Sequence, residues 1–134
     1  MSTVKMVEYD QASENVKAIF DEIMRVKGID FVPNFWKTVA THPPMLEQLW
    51  REIQQVMADG ALNPLTKEMI AIAVSATNGC EYCINSHTAA AVAKGMTPQM
   101  HGELMAVVGF FNKTNTLSDG YQVEPDVKPI VDKA

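Results

Sequence analysis

Apolar residues recur at helical spacing along most of the chain. Val16, Ile19, Phe20, Ile23 and Met24 fall three and four apart, which predicts a helix ending near Lys27. Ser13 is a suitable N-cap for it and Gly28 a suitable stop. The segment before it, Met1 to Gln11, reads as an extended arm. Ile29 to Asn34 reads as a turn into a short helix that starts at Pro33 or Asn34 and ends at Thr41, where His42-Pro43-Pro44 breaks it. A further helix is predicted from about Pro44 to Ala58, with Met45, Leu46, Leu49, Trp50, Ile53 and Met57 inward and Gly60 as its end. Asn63-Pro64 and Thr97-Pro98 are helix-start signals. The first launches Leu65 to Ala76, a helix opened by Glu68 and almost without a polar face after it, so predicted to be buried. The second launches a helix from Pro98 to about Asn112 carrying Met100, Leu104, Val107, Val108 and Phe111. Between them, Asn78-Gly79 stops one helix, and another runs from Cys80, or just before it, to Lys94, with Gly95 as its end signal. From Thr116 onward no helical period survives, and Gly120, Pro125 and Pro129 divide the tail. No strand alternation of useful length and no internal repeat is present. The expectation is an all-α, compact helical domain of about six helices spanning residues 1–134, with an N-terminal arm (1–11) and an irregular C-terminal tail (116–134).

Composition adds two points. A chain of 134 residues has room for one domain with a real core. Its 47% apolar content and nine methionines suggest a large core, a subunit interface, or both, and argue against a lone monomer. Trp36, Trp50, Phe110 and Phe111 are read as core or interface residues. A net charge of −5 argues against a nucleic-acid surface. The first ten residues lack the basic-then-apolar order of a signal peptide, and the longest apolar run, Met69 to Val74, is too short to span a bilayer. A cytoplasmic protein without membrane contact is expected. In a reducing compartment, two close cysteines point to redox chemistry or metal.

The chemistry concentrates in Asn78-Gly79-Cys80-Glu81-Tyr82-Cys83-Ile84-Asn85-Ser86-His87. At 100° per residue, positions 80, 83 and 87 of a helix share an arc of roughly 60°. Cys83 and His87 are an i,i+4 pair, so the imidazole can act as base to that thiol. Cys80 and Cys83 form a C-x-x-C at a helix start, where free N–H groups and the helix dipole favour a thiolate. Three plainer readings stand beside this one. The cysteines can be small buried hydrophobes. With His87 and Glu68 they make a four-ligand zinc set. Glu68, read as lying in the first turn of its helix, can simply offset the dipole. Covalent haem is excluded because Ile84, not histidine, follows Cys83. His42 and His101 have no comparable company.

The spacing of Glu68, eleven residues, Cys80-x-x-Cys83, three residues and His87 resembles the AhpD-like (alkylhydroperoxidase) branch of the carboxymuconolactone decarboxylase superfamily. The flanking Ala-Val-Ser-Ala-Thr-Asn-Gly-Cys-Glu-Tyr-Cys and Ser-His-Thr-Ala-Ala-Ala resemble it too, and the likeness is sharp over Leu65 to Lys94. Several members carry a histidine just before the second cysteine, and it takes part in proton transfer; here that position is Tyr82, a possible auxiliary residue. The resemblance implies an all-helical fold in a symmetric oligomer, a trimer or hexamer. It implies a thiol-dependent peroxidase or disulfide reductase serving antioxidant defence, with Cys83, Cys80, His87 and Glu68 catalytic and no cofactor or metal. Its partners would be a hydroperoxide and an external dithiol reductant of lipoyl type. The i,i+4 contact and the family mechanism favour Cys83 as the attacking thiol, whereas thioredoxin-type logic favours Cys80. Two alternatives remain: a non-redox carboxymuconolactone decarboxylase-type enzyme, and a zinc-stabilised or purely oligomeric interaction module.

Overall fold

The structure, a computed structural model, describes residues 1–130. Among these the chain forms six α-helices and no strand: α1 Glu14–Lys27, α2 Asn34–Val39, α3 Pro43–Val56, α4 Pro64–Asn78, α5 Glu81–Ala93 and α6 Pro98–Gly120. A three-residue 3-10 turn, Tyr9–Gln11, precedes them. The all-α expectation holds, and so do the predicted start signals. Ser13, Asn63 and Thr97 each accept the backbone N–H three residues on, at Val16, Thr66 and Met100. Each cap satisfies one of the N–H groups that a helix start leaves open. No helix among the described residues is long and apolar enough to cross a membrane.

The helices gather into two compact units, Met1–Ala58 and the part from Asp59 onward. The first has its core in Val16, Phe20 and Ile23 of α1, Val32, Trp36 and Ala40 around α2, and Leu46 and Trp50 of α3. Trp36 and Trp50 meet edge to face, centroids 5.3 Å apart. The Trp50 indole N–H donates to Glu22 Oε2 at 3.0 Å, so its one polar group stays satisfied. The arm is fastened to this unit. Val7 N–H donates to the Lys37 carbonyl, Lys37 Nζ pairs with Glu8 at 3.1 Å, and the Tyr9 hydroxyl donates to Asp21 at 2.8 Å.

The second unit holds α4, α5 and α6 around a thin core of Ile72, Ala91 and Met96, flanked by Leu65, Met69, Met100 and Leu104. Two expectations change here and one in the first unit. First, α4 is buried along one face only, because α5 and α6 cover that side and leave Ile70 and Val74 about half exposed. Second, α6 continues to Gly120, so residues 116–120 of the expected irregular tail are helical. Within its polar end the side chains find partners on the helix itself rather than diverting the backbone: Thr114 and Asn115 donate to the Phe111 carbonyl, and Thr116 to that of Asn112. Residues 121–130 are irregular as expected, and 131–134 lie outside the described residues. Val107, Phe110 and Phe111 are about half exposed, and α6 has no fully buried residue, so Phe110 and Phe111, read as core or interface residues, do not lie in the core of this unit. In the first unit, Met45 also faces outward, in the first turn of α3.

The turn between α4 and α5 is the tightest constraint in this unit. Gly79 takes a left-handed conformation, φ 70°. Its N–H bonds to the Ala76 carbonyl, and the Cys80 N–H returns to that of Ser75 at 3.0 Å, which closes α4. A Cβ on Gly79 would meet nothing within 4 Å, so a side chain there is opposed by backbone conformation alone. Gly79→Ala should therefore lower stability by about 1–2 kcal/mol without displacing the core. Denaturant titration checks this: the midpoint should fall with the slope unchanged.

Candidate active site

Cys80 ends one helix with its backbone and begins the next with its side chain. As N-cap of α5 its sulfur accepts the Cys83 N–H at 3.3 Å. The two sulfurs are joined as a disulfide, with Cα atoms 5.3 Å apart. Both cysteines are half-buried. The sulfur at position 80 therefore sits where a backbone N–H and the positive end of the helix favour negative charge once the bond is reduced.

The rest of the site follows from the α4–α5 hairpin. The helices run antiparallel through a turn at Gly79 and Cys80, so a residue about eleven before the turn lies level with one about eleven after it. That pairs Glu68 with the neighbourhood of Ala91, whose absence of side-chain bulk lets α5 sit close and which is fully buried. His87 and Lys94 lie about one turn to either side. Glu68 Oε2 is 2.8 Å from His87 Nδ1, and Glu68 Oε1 is 3.3 Å from Lys94 Nζ. The Glu68 side chain is only 8% exposed, against 25% for His87 and 40% for Lys94. Glu68 is the fifth residue of α4 and not in its first turn, as had been expected; no acidic residue occupies that turn. Offsetting the helix dipole does not account for it, since that effect is confined to the first turn.

Burial alone would push the Glu68 carboxyl up. The His87 hydrogen bond, the charge and hydrogen bond of Lys94, and the His87 charge together outweigh burial and hold it below its ordinary value. A carboxylate only accepts hydrogen bonds, so Nδ1 of His87 carries the hydrogen. In the neutral ring Nε2 then keeps its lone pair and is the atom able to take a proton.

The four residues singled out from spacing are thus joined in two bonded pairs on one hairpin: Cys80 with Cys83, and Glu68 with His87. Tyr82 is 43% exposed on the first turn of α5. His42 caps α3, and His101 lies in the first turns of α6. Lys94 was missed: the sequence reading treated it only as a helix end. It falls seven residues after His87, within the same arc as Cys80, Cys83 and His87, and the hairpin register brings it level with Glu68. Among the described residues no three His, Cys, Asp or Glu side chains are grouped so as to hold a metal ion.

This helical hairpin, with a C-x-x-C at its turn and a buried Glu–His pair along one face, belongs to an AhpD-like fold. The crystal structure of the alkylhydroperoxidase AhpD core from Rhodospirillum rubrum superposes with a TM-score of 0.88 and 45% identity, covering 94% of this chain and 95% of that one. A curated relative from Paracoccus denitrificans, "Uncharacterized protein 4 in cox locus", is 45% identical over 42 residues, 31% of this chain; the match spans 38% of that relative's length. The carboxymuconolactone decarboxylase family model matches residues 43–123, more than half of the sequence, and the chain belongs to that family.

The depressed carboxyl sets a pH dependence. Its contribution to stability is present above the ordinary glutamate value and is lost as pH falls through the lower folded-state value. Glu68→Gln should therefore be less stable than wild type at neutral pH, with the gap closing as the solution is acidified below about pH 4.3. Paired denaturation curves at neutral and acid pH test this; a gap independent of pH contradicts the ionic role.

Proposed function

We propose that this protein is a thiol-dependent peroxidase and disulfide reductase that uses Cys80 and Cys83 to reduce hydroperoxides in antioxidant defence. The observation that carries the reading is the pairing of a C-x-x-C disulfide at a helix start with a buried, ionised glutamate bonded to His87, one turn after Cys83. In the reduced protein, Nε2 of His87 takes the Cys83 proton and the imidazolium is held by Glu68. The thiolate attacks the outer oxygen of the hydroperoxide. The O–O bond breaks, Cys83 becomes a sulfenic acid, and the departing alkoxide takes the proton from His87 as an alcohol. Cys80 then displaces water from the sulfenic acid and the disulfide forms. An external dithiol of lipoyl type restores both thiols by exchange and leaves as its own disulfide. The Cys83 N–H on the Cys80 sulfur makes Cys80 the better leaving thiolate, so the entering thiol attacks Cys83.

Replacing each cysteine in turn tests the assignment. Hydroperoxide should give a trappable sulfenic acid on Cys83 in Cys80→Ser. Cys83→Ser should lose turnover entirely, and His87→Gln should lose about 10²-fold. A sulfenic acid found only on Cys80 in Cys83→Ser reverses the order of the thiols. The family also gives its name to a lactone decarboxylase, and full activity of the double serine variant on such a lactone would replace the redox reading.

A homo-oligomer, trimer or hexamer, belongs to the same proposal. Val107, Phe110, Phe111 and Leu117 of α6, Ile70 and Val74 of α4 and Val92 of α5 are each about half exposed. Large apolar side chains left in water on three helices are what a surface covered by a second copy would supply. Light scattering should find an oligomer for the wild-type chain and a smaller species for the double variant Val107→Glu/Phe110→Glu. A monodisperse wild-type monomer contradicts it.

A further inference from the structure

Glu68 has two carboxylate oxygens and a different cationic or ionisable partner on each. This raises the question of which one balances its charge. A carboxylate buried to this degree needs a compensating charge or it takes up a proton. If His87 had to supply that charge, the imidazole would be drawn into its protonated form and would lose the lone pair on Nε2. Lys94 offers the alternative. Its Nζ lies 3.3 Å from Oε1, the oxygen that His87 does not use. Lysine is cationic at any pH at which the thiols work, and its flexible stem reaches in from the C-cap of α5 while the head stays partly in water.

We propose that Lys94 is a positioning residue of this site: its ammonium, on the Glu68 oxygen that His87 leaves free, shares in balancing the buried carboxylate, so that His87 need not carry the whole compensating charge. The inference deepens the thiol-base reading given above and rests on it for its catalytic meaning. The ionisable groups on the packed helices are few. On α4 they are Glu68 and Lys67, whose ammonium lies beside Gly60. On α5 they are Glu81, Tyr82, the two cysteines, His87 and Lys94, and at the start of α6 they are His101 and Glu103. The carboxylate bonded to the His87 ring is that of Glu68, and Lys94 is bonded to the same carboxylate.

The test is the pH titration of the His87 ring by NMR in the disulfide form, where neither sulfur titrates and His42 and His101 serve as internal references. Lys94→Met should move the His87 midpoint upward by roughly one pH unit, a modest value because the lysine head is partly solvated. Lys94→Arg should restore the wild-type midpoint, and the unchanged dispersion of the remaining NMR signals shows that each variant is titrated in its folded state. An unchanged midpoint in Lys94→Met overturns the proposal. So does an equal shift in Lys94→Arg, which would make the shape of the side chain and not its charge the cause. The ring titration needs no substrate, so its outcome is independent of whether the thiols reduce hydroperoxides.

Discussion

The second unit is arranged around one buried carboxylate. Glu68 sits inside the α4–α5 hairpin with each oxygen committed, Oε2 to His87 and Oε1 to Lys94. Leaving such a group without partners costs several kcal/mol, so the register of the two helices is set as much by this triad as by the thin apolar core of Ile72, Ala91 and Met96. Alanine at position 91 permits the close approach, the left-handed Gly79 sets where α5 starts, and the start of α5 sets where the sulfurs lie. Structure and chemistry therefore depend on the same contacts. A change that relaxes the hairpin register would loosen the ion pairs and part His87 from Glu68.

Much of this was legible in the sequence because it is written in local rules. Ser13, Asn63 and Thr97 announce their helices through hydrogen bonds three residues long, and Gly28 and Gly79 end theirs through backbone conformations that other residues avoid. The shared face of Cys80, Cys83 and His87 follows from helical spacing alone. The contact of Glu68 with His87 is different in kind: it crosses between helices, and only the family-like interval suggested it. Lys94 followed from neither rule. The seven-residue step from His87 was visible, but its meaning depended on the antiparallel register that places Glu68 between the two.

What was misread came from treating apolar character as burial. The uniformly apolar surface of α4 predicted a helix enclosed on all sides, yet Ile70 and Val74 face outward. Spacing cannot tell an apolar residue that meets its own chain from one that meets another. The polar end of α6 was misread for the converse reason. Thr114, Asn115 and Thr116 look like loop residues, but their side chains bond to carbonyls of the preceding turn, and Asn112 reaches Thr77 of α4 at 3.0 Å, which ties the helix to its neighbour.

The central claim is that the two thiols form one redox unit driven by the Glu68–His87 pair. The most direct measurement mixes fully reduced protein with one equivalent of an organic hydroperoxide and follows thiol loss and alcohol release together, with free cysteine as the reference. The account predicts two thiols lost per peroxide, one alcohol formed, a Cys80–Cys83 disulfide in the product, and a rate well above that of the free amino acid. Oxidation no faster than free cysteine, with the Cys80–Cys83 bond forming only slowly, would contradict it.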